Sequence, residues 1–180
     1  MPSPGAAPAI AHHDLATLVV ETCQLSGEFT LRSGQTSHSY FDKYLFEANP
    51  QLLSEIATHL AGLVPDEIEV VAGLELGGIA VATVLSQVTG IPAAFVRKAP
   101  KTYGTMKLAE GASIADRHVL VVEDVISTGG QVVASTHDLR SGGAIVDSVL
   151  CVIDRTGGDH RALEADGIAV LALFTTDDFA

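Results

Sequence analysis

Positive charge is scarce in this sequence: 10 Lys and Arg stand against 22 Asp and Glu, a formal net charge of −12. A nucleic acid or an anionic membrane surface needs clustered positive charge in its partner, so the balance argues against either as the main partner. Cysteine is nearly absent. Cys23 and Cys151 each sit in an apolar pattern, which fits reduced core thiols and a cytoplasmic location rather than a disulfide scaffold or a zinc site. No run reaches the ~18 apolar residues of a membrane helix, and no charged region leads into an apolar one at the N-terminus. Internal repeats are missing, and low complexity is confined to Met1–Ala11, rich in Pro, Ala and Gly. That stretch has little to pack, so residues 1–13 are expected to be a mobile leader. What remains is 47% hydrophobic over 180 residues, enough for one well-buried core and too short to divide comfortably. A single domain over 14–180 is expected.

The chain is organised around His118–Val132, HVLVVEDVISTGGQV. Four apolar residues, Val119 to Val122, run into Glu123 and Asp124 and then into Ser127-Thr128-Gly129-Gly130, which opens a helical pattern. A buried strand thus delivers two acids to its carboxyl end, where open α/β sheets bind ligands. The small-residue turn offers backbone N–H groups and a helix N-terminus to a phosphate, while the carboxylates suit vicinal ribose hydroxyls. An ordinary β–α turn with acids at a strand end is the plainer alternative. A dinucleotide site would need Gly-x-Gly-x-x-Gly directly after the strand and a P-loop would need Gly-Lys-Ser/Thr; this stretch has neither.

Upstream, His12-His13 lacks further ligands at metal spacing and reads as two solvated histidines ahead of a helix. Asp14 is expected to cap that helix, which runs to Leu25 with Leu15, Leu18, Val19 and Cys23 on one face. Phe29–Phe46 reads as a hairpin hood broken at Ser33-Gly34, carrying Arg32, Tyr40 and Phe41 as groups able to pair with a carboxylate or stack on a flat ring. These aromatics serve equally well as core, with Arg32 on the surface. Pro50–Leu63 has helical spacing, and His59 within it reads as packing. A strand over Glu69–Ala72 leads through Gly73–Gly78 into a helix over Ile79–Gln87, a second strand, glycine-rich loop and helix.

After the short strand Ala93–Val96, four of the ten basic residues, Arg97, Lys98, Lys101 and Lys107, fall within eleven positions. Pro100, Gly104 and Gly111 oppose a regular element, so 97–111 reads as a mobile cationic arm for an anion, or as a solvated basic loop. A helix over Val132–Leu139 ends at Ser141-Gly142-Gly143. Strand Ile145–Ile153 leads to Asp154-Arg155, short of a helix at His160–Ala165 and a last strand at Ile168–Phe174. The alternation predicts an α/β fold with a mainly parallel central sheet flanked by helices on both faces.

VVEDVISTGG resembles the signature of the type I phosphoribosyltransferases, which use phosphoribosyl pyrophosphate. TLRSGQTSHSYF is similar to the hood motif of the orotate phosphoribosyltransferases, and RKAPKTYG to their catalytic loop. From about Phe29 to Arg155 the motifs occur in family order. The resemblance implies transfer of phosphoribosyl to orotate, giving orotidine 5′-monophosphate and diphosphate, with Mg²⁺ carried by the substrate rather than held directly by the protein. It implies that Glu123 and Asp124 hold the ribose, and that Ser127, Thr128, Gly129, Gly130 and Gln131 hold its 5-phosphate. Leu76, Gly77 and Gly78, with Arg97, Lys98, Lys101 and Tyr103, would face the diphosphate, and Arg32, Tyr40, Phe41, Ser127 and Arg155 the orotate. Asp124, Lys101, Lys98 and Arg97 are the implied catalytic residues, in a homodimer whose active sites are shared.

Three departures mark this chain. Arg32 stands where many relatives have Lys, Leu76-Gly77 where many have Tyr-Lys, and Tyr103 where many have His. A transferase for another base, or a non-catalytic sensor of phosphoribosyl pyrophosphate, remains an alternative at this stage.

Overall fold

A computed structural model describes residues 8–30, 34–98 and 108–179. Strands rich in Val, Leu and Ile alternate with helices that end at small residues. In chain order the elements are α1 (His12–Cys23), β1 (Gln24–Thr30), β2 (Thr36–Phe41), α2 (Tyr44–Ala48), α3 (Pro50–Ala61), β3 (Val70–Leu74), α4 (Gly77–Thr89) and β4 (Ala93–Val96). There follow β5 (Ala109–Gly111), β6 (Val119–Ile126), α5 (Gly130–Ser141), β7 (Ser148–Asp154), α6 (Arg161–Ala165), β8 (Ala169–Thr175) and a 3-10 turn, Thr176–Phe179.

β1 and β2 form an antiparallel hairpin, and the other six strands form one sheet in the order β5-β4-β3-β6-β7-β8. All its neighbours pair in parallel except β5, which runs antiparallel on the edge against β4. From β3 the chain moves outward to β4 and then returns to lay β6 on the other side of β3. The carboxyl ends of β3 and β6 therefore flank the point where strand order reverses, the crevice in which open α/β sheets bind ligands.

Alternate strand residues feed two cores. Val71, Leu120, Val122, Leu150 and Val152 pack with Leu15, Ile56, Leu60 and Leu85 of α1, α3 and α4, while Val70, Val119, Val121 and Val149 pack with Leu139 and Leu163 of α5 and α6. Helices thus cover both faces, as expected of a mainly parallel sheet. Cys23 and Cys151 are free and buried within these cores. No helix among the described residues is long and apolar enough to cross a membrane.

Several boundaries differ from the sequence reading for local reasons. Helix α1 starts before Asp14, at His12, with Ala11 at its cap and no side-chain cap bond; Leu18 points outward at 39% exposure while Leu15, Ala16, Val19 and Cys23 form the buried stripe. His12 is not merely solvated: its Nε2 donates to the Leu173 carbonyl at 2.9 Å, and its ring centroid lies 4.9 Å from that of Phe174. The end of the expected leader is tied down as well. Ala9 and Ile10 N–H groups donate to the Glu55 carboxylate, and His59 Nε2 donates to the Ile10 carbonyl at 2.9 Å. The hairpin begins at Gln24, and Tyr44-Leu45-Phe46 leave it to form α2, because fully buried Phe46 reaches the core from a helix. Asn49 then caps α3, its side chain accepting from the N–H groups of Gln51 and Leu52 at 3.1 Å, with Pro50 in the first turn where its missing donor costs nothing. The end of the basic arm is regular, since Ala109–Gly111 is a strand rather than loop, and Ile145 joins only by a bridge to His118 before β7 starts at Ser148.

Candidate active site

Two strand–loop–helix units meet at the reversal point. In the first, β3 ends at Leu74, a non-proline cis peptide joins Glu75 to Leu76, and α4 begins at the buried pair Gly77-Gly78. In the second, β6 carries Glu123 and Asp124 alongside that helix start. A Cβ on Gly77 would collide with Asp124 Oδ2 and stand 2.7 Å from Glu47 Oε1, and one on Gly78 would collide with the Val122 carbonyl and stand 3.0 Å from Glu123 Oε2. Glycine at both positions is thus a packing requirement, since it lets the loop backbone lie directly on the acids.

Asp124 has no exposed surface. Its Oδ1 accepts from the Val125 N–H at 2.6 Å, and its Oδ2 forms an ion pair with Lys43 Nζ at 2.5 Å. Burial works against the Lys43 ammonium, but the Asp124 carboxylate outweighs it and leaves the lysine above its ordinary value. Glu47, one helical turn along, is pushed above the usual carboxylate range by burial and then by Asp124. Glu123 is raised to about 8 by burial and the Asp124 charge, with Lys43 and Lys98 pulling the other way. Glu47 Oε1 and Glu123 Oε2 are buried and lack hydrogen-bond partners among the described residues. Three carboxyl groups are thus gathered at one strand end.

The loop after β6 leaves Ser127 and Thr128 exposed, turns at Gly129 with φ 73°, and enters α5 at Gly130. The first turn of α5 has no side-chain cap, so its N–H groups face the loop, where an anion suits them. Gln131 is exposed, and its amide donates to Ser135 Oγ at 3.1 Å. Arg97 and Lys98 leave β4 on the same side, both exposed. The Arg97 N–H donates to the Leu108 carbonyl at 3.0 Å, closing the base of the basic arm, and the Lys98 N–H donates to the Glu75 carboxylate at 3.2 Å. Lys101, Tyr103 and Arg32 lie outside the described residues.

A cavity of about 190 Å³ is lined by Phe41, Arg155, Gln24 and Phe179 among others, so two of the expected base-facing residues come together. Tyr40 does not join them. Successive strand residues face opposite ways, and the Tyr40 ring packs on Phe29 at 5.5 Å. Arg155 is exposed, and its N–H donates to the Ile126 carbonyl at 2.7 Å. Asp154 turns instead to His160 Nε2 at 2.7 Å and the Thr156 N–H at 2.8 Å. Burial tends to raise Asp154, but these partners outweigh it and hold the carboxyl below its usual range.

The family described as phosphoribosyl transferase domain matches residues 45–166. An orotate phosphoribosyltransferase of Nocardioides sp. is 51% identical over 161 residues, covering 89% of this chain and 90% of that one. The chain belongs to the orotate phosphoribosyltransferase family. A crystal structure of the Mycobacterium tuberculosis orotate phosphoribosyltransferase, in complex with Fe(III) dicitrate, aligns with TM-score 0.85 at 32% identity, covering 94% of this chain and 98% of that one. The same enzyme in complex with 5-phospho-α-D-ribosyl 1-diphosphate aligns with TM-score 0.79 at 30% identity over 93% of this chain and 97% of that one. The mainly parallel sheet with its N-terminal hairpin is the fold of this family.

Against the motifs of orotate phosphoribosyltransferases, two residues at the strand end come as additions: Lys43 and Glu47. Read as strand, the segment through Phe46 gave them no reason to meet β6. Their i, i+4 spacing is the signal, since on a helix it puts both on one face, and two acids delivered to a buried strand end call for a cation.

Proposed function

We propose that this chain transfers the phosphoribosyl group of phosphoribosyl pyrophosphate to orotate, releasing diphosphate and forming orotidine 5′-monophosphate, a step of pyrimidine nucleotide synthesis. The observation that carries the reading is the meeting of the Gly77-Gly78 helix start with Glu123 and Asp124 on β6, the strand that runs on into the Ser127–Gly130 loop. A ribose 5-phosphate fits that order. The loop and the α5 N-terminus take the phosphate, Glu123 and Asp124 serve the ribose, and the N–H groups of Leu76, Gly77 and Gly78 take the diphosphate. Arg97, Lys98 and Lys101 offset the charge that builds on the leaving diphosphate as its bond to C1 opens, and the adjacent carboxylates favour the positive charge left on the sugar. A ring nitrogen of orotate then closes on C1, so no covalent enzyme intermediate is required. Arg155 and Phe41, walling one cavity, suit the carboxylate and the flat face of orotate, with Arg32 and Ser127 from the flanking segments.

The buried, unpartnered Glu123 Oε2 beside the proposed ribose site suits a Mg²⁺ ion that would arrive on the donor rather than be ligated directly by the protein. When bound, Mg²⁺ supplies charge neutralisation of the diphosphate. The same reading has the chain cytoplasmic, as two free buried thiols suit, and a homodimer in which Lys101 and Arg97 serve the partner's site.

Turnover of phosphoribosyl pyrophosphate with orotate, uracil, hypoxanthine and nicotinate tests the reading. Diphosphate release is expected with orotate alone. Release with another base reassigns the acceptor, and tight donor binding without release for any base makes the chain a sensor.

A further inference from the structure

Helix α2 brings a cation and an acid to Asp124 that no part of the proposed chemistry uses. Lys43, at the N-cap of α2, pairs with Asp124 Oδ2 at 2.5 Å, while its side chain stays 33% exposed. Glu47 stands on the same helical face, close to the point where a Cβ on Gly77 would also meet Asp124. We propose that Lys43 is a positioning residue for Asp124, its ammonium the counter-charge to a buried carboxylate that Glu47 crowds from the same helical face. The inference rests on the reading in which Asp124 serves the ribose.

Asp124 is fixed on its other sides by backbone, through the Val125 N–H on Oδ1 and the side-chain-free surface of Gly77. Neither carries opposite charge. The groups that act on this corner are Glu47 and Tyr44 from α2, Glu123 from β6, Lys98 beyond β4 and Cys151 from β7. Both cations act on Glu123, but Lys43 alone among the described residues pairs with Asp124. Without Lys43, a buried carboxylate faces two further carboxyl groups and no counter-charge, so it must rotate away or take up a proton. Either change removes the negative charge beside the reacting carbon.

The test is steady-state kinetics of the full chain with donor and orotate. Lys43→Met keeps the aliphatic stem and removes the charge; kcat is expected to fall about a hundredfold, with KM for orotate within about threefold of the parent. Lys43→Arg restores most of kcat, because the counter-charge returns. A Lys43→Met chain whose kcat stays within about threefold of the parent overturns the proposal, as does a folded Lys43→Arg chain as impaired as Lys43→Met. Should Lys43→Met fail to fold by circular dichroism, Lys43→Arg decides, near-parental kcat supporting the proposal and a loss of about a hundredfold in a folded chain overturning it. A parent that does not turn over orotate fails the substrate reading instead. The pairing is then judged by denaturation of Lys43→Met, Asp124→Asn and their combination, where strictly additive losses overturn it.

Discussion

Asp124 receives its carboxylate's surroundings from three places in the chain: its own strand, Gly77 at the start of α4, and Lys43 and Glu47 at α2. Asp124→Asn keeps the shape of the side chain and removes its charge. If that charge acts mainly on the transition state, kcat at saturating substrates falls by about two to three powers of ten. A variant within about threefold of the parent would remove Asp124 from the chemistry. The acids, the glycines and the loop at Ser127–Gly130 are readable from sequence because each is a local pattern: a strand end, a tight approach, a helix start. Lys43, Glu47 and His12 escape such a reading. Their partners, Asp124 and the Leu173 carbonyl, are brought near only by the sheet; the i, i+4 spacing of Lys43 and Glu47 tells that they share a face, not what that face meets.

The contact of α2 with β6 has its own signature in pH. Glu123, raised to about 8 by burial and by Asp124, and Glu47, raised for the same two reasons, hold protons in the folded chain that the unfolded chain has released. Between the ordinary carboxyl value and about pH 8, the folded state therefore binds more protons, and stability falls as pH rises through that window. Asp154 contributes with the opposite sign, and only below its ordinary value, so the two effects occupy separate ranges. Thermal denaturation from about pH 5 to about pH 9 should show the decline, flattened in Glu123→Gln and in Glu47→Gln. A stability that climbs over this range would contradict the arrangement. Elements themselves were largely legible, since β3, β4, β6 and β8 are apolar runs and α3 and α4 keep a helical period. α2 was not, because five residues are too few to display a period, and only the burial of Phe46 tells helix from strand there.

At the scale of the whole molecule, the reversal of strand order between β3 and β6 decides where a ligand belongs; alternation of strands and helices was enough to expect the parallel sheet, but not the order of its strands. The basic arm raises a question that one chain cannot answer alone. Its root at Arg97 is closed by Leu108, and its cations are proposed to serve the second subunit of a two-fold dimer. Lys101→Ala and Asp124→Asn should each be nearly inactive by themselves. Unfolded together and refolded, they should recover roughly a quarter of parental activity, since about half the dimers are mixed and each of those holds one intact site. Mixed dimers proven by mass spectrometry yet devoid of activity would mean that the arm serves its own chain.

The cavity shared by Phe41 and Arg155 has a further consequence. The family match spans residues 45–166 and contains β3, α4, β6 and α5, the parts proposed to grip the donor. Val20, Gln24, Phe41, Thr176 and Phe179, most of the wall around Arg155, come from outside it, from the two ends of the chain folded against each other. If the base lies in that cavity as proposed, most of what surrounds it is borrowed from the chain's two ends, while Arg155 and the proposed donor grip lie in the stretch between them.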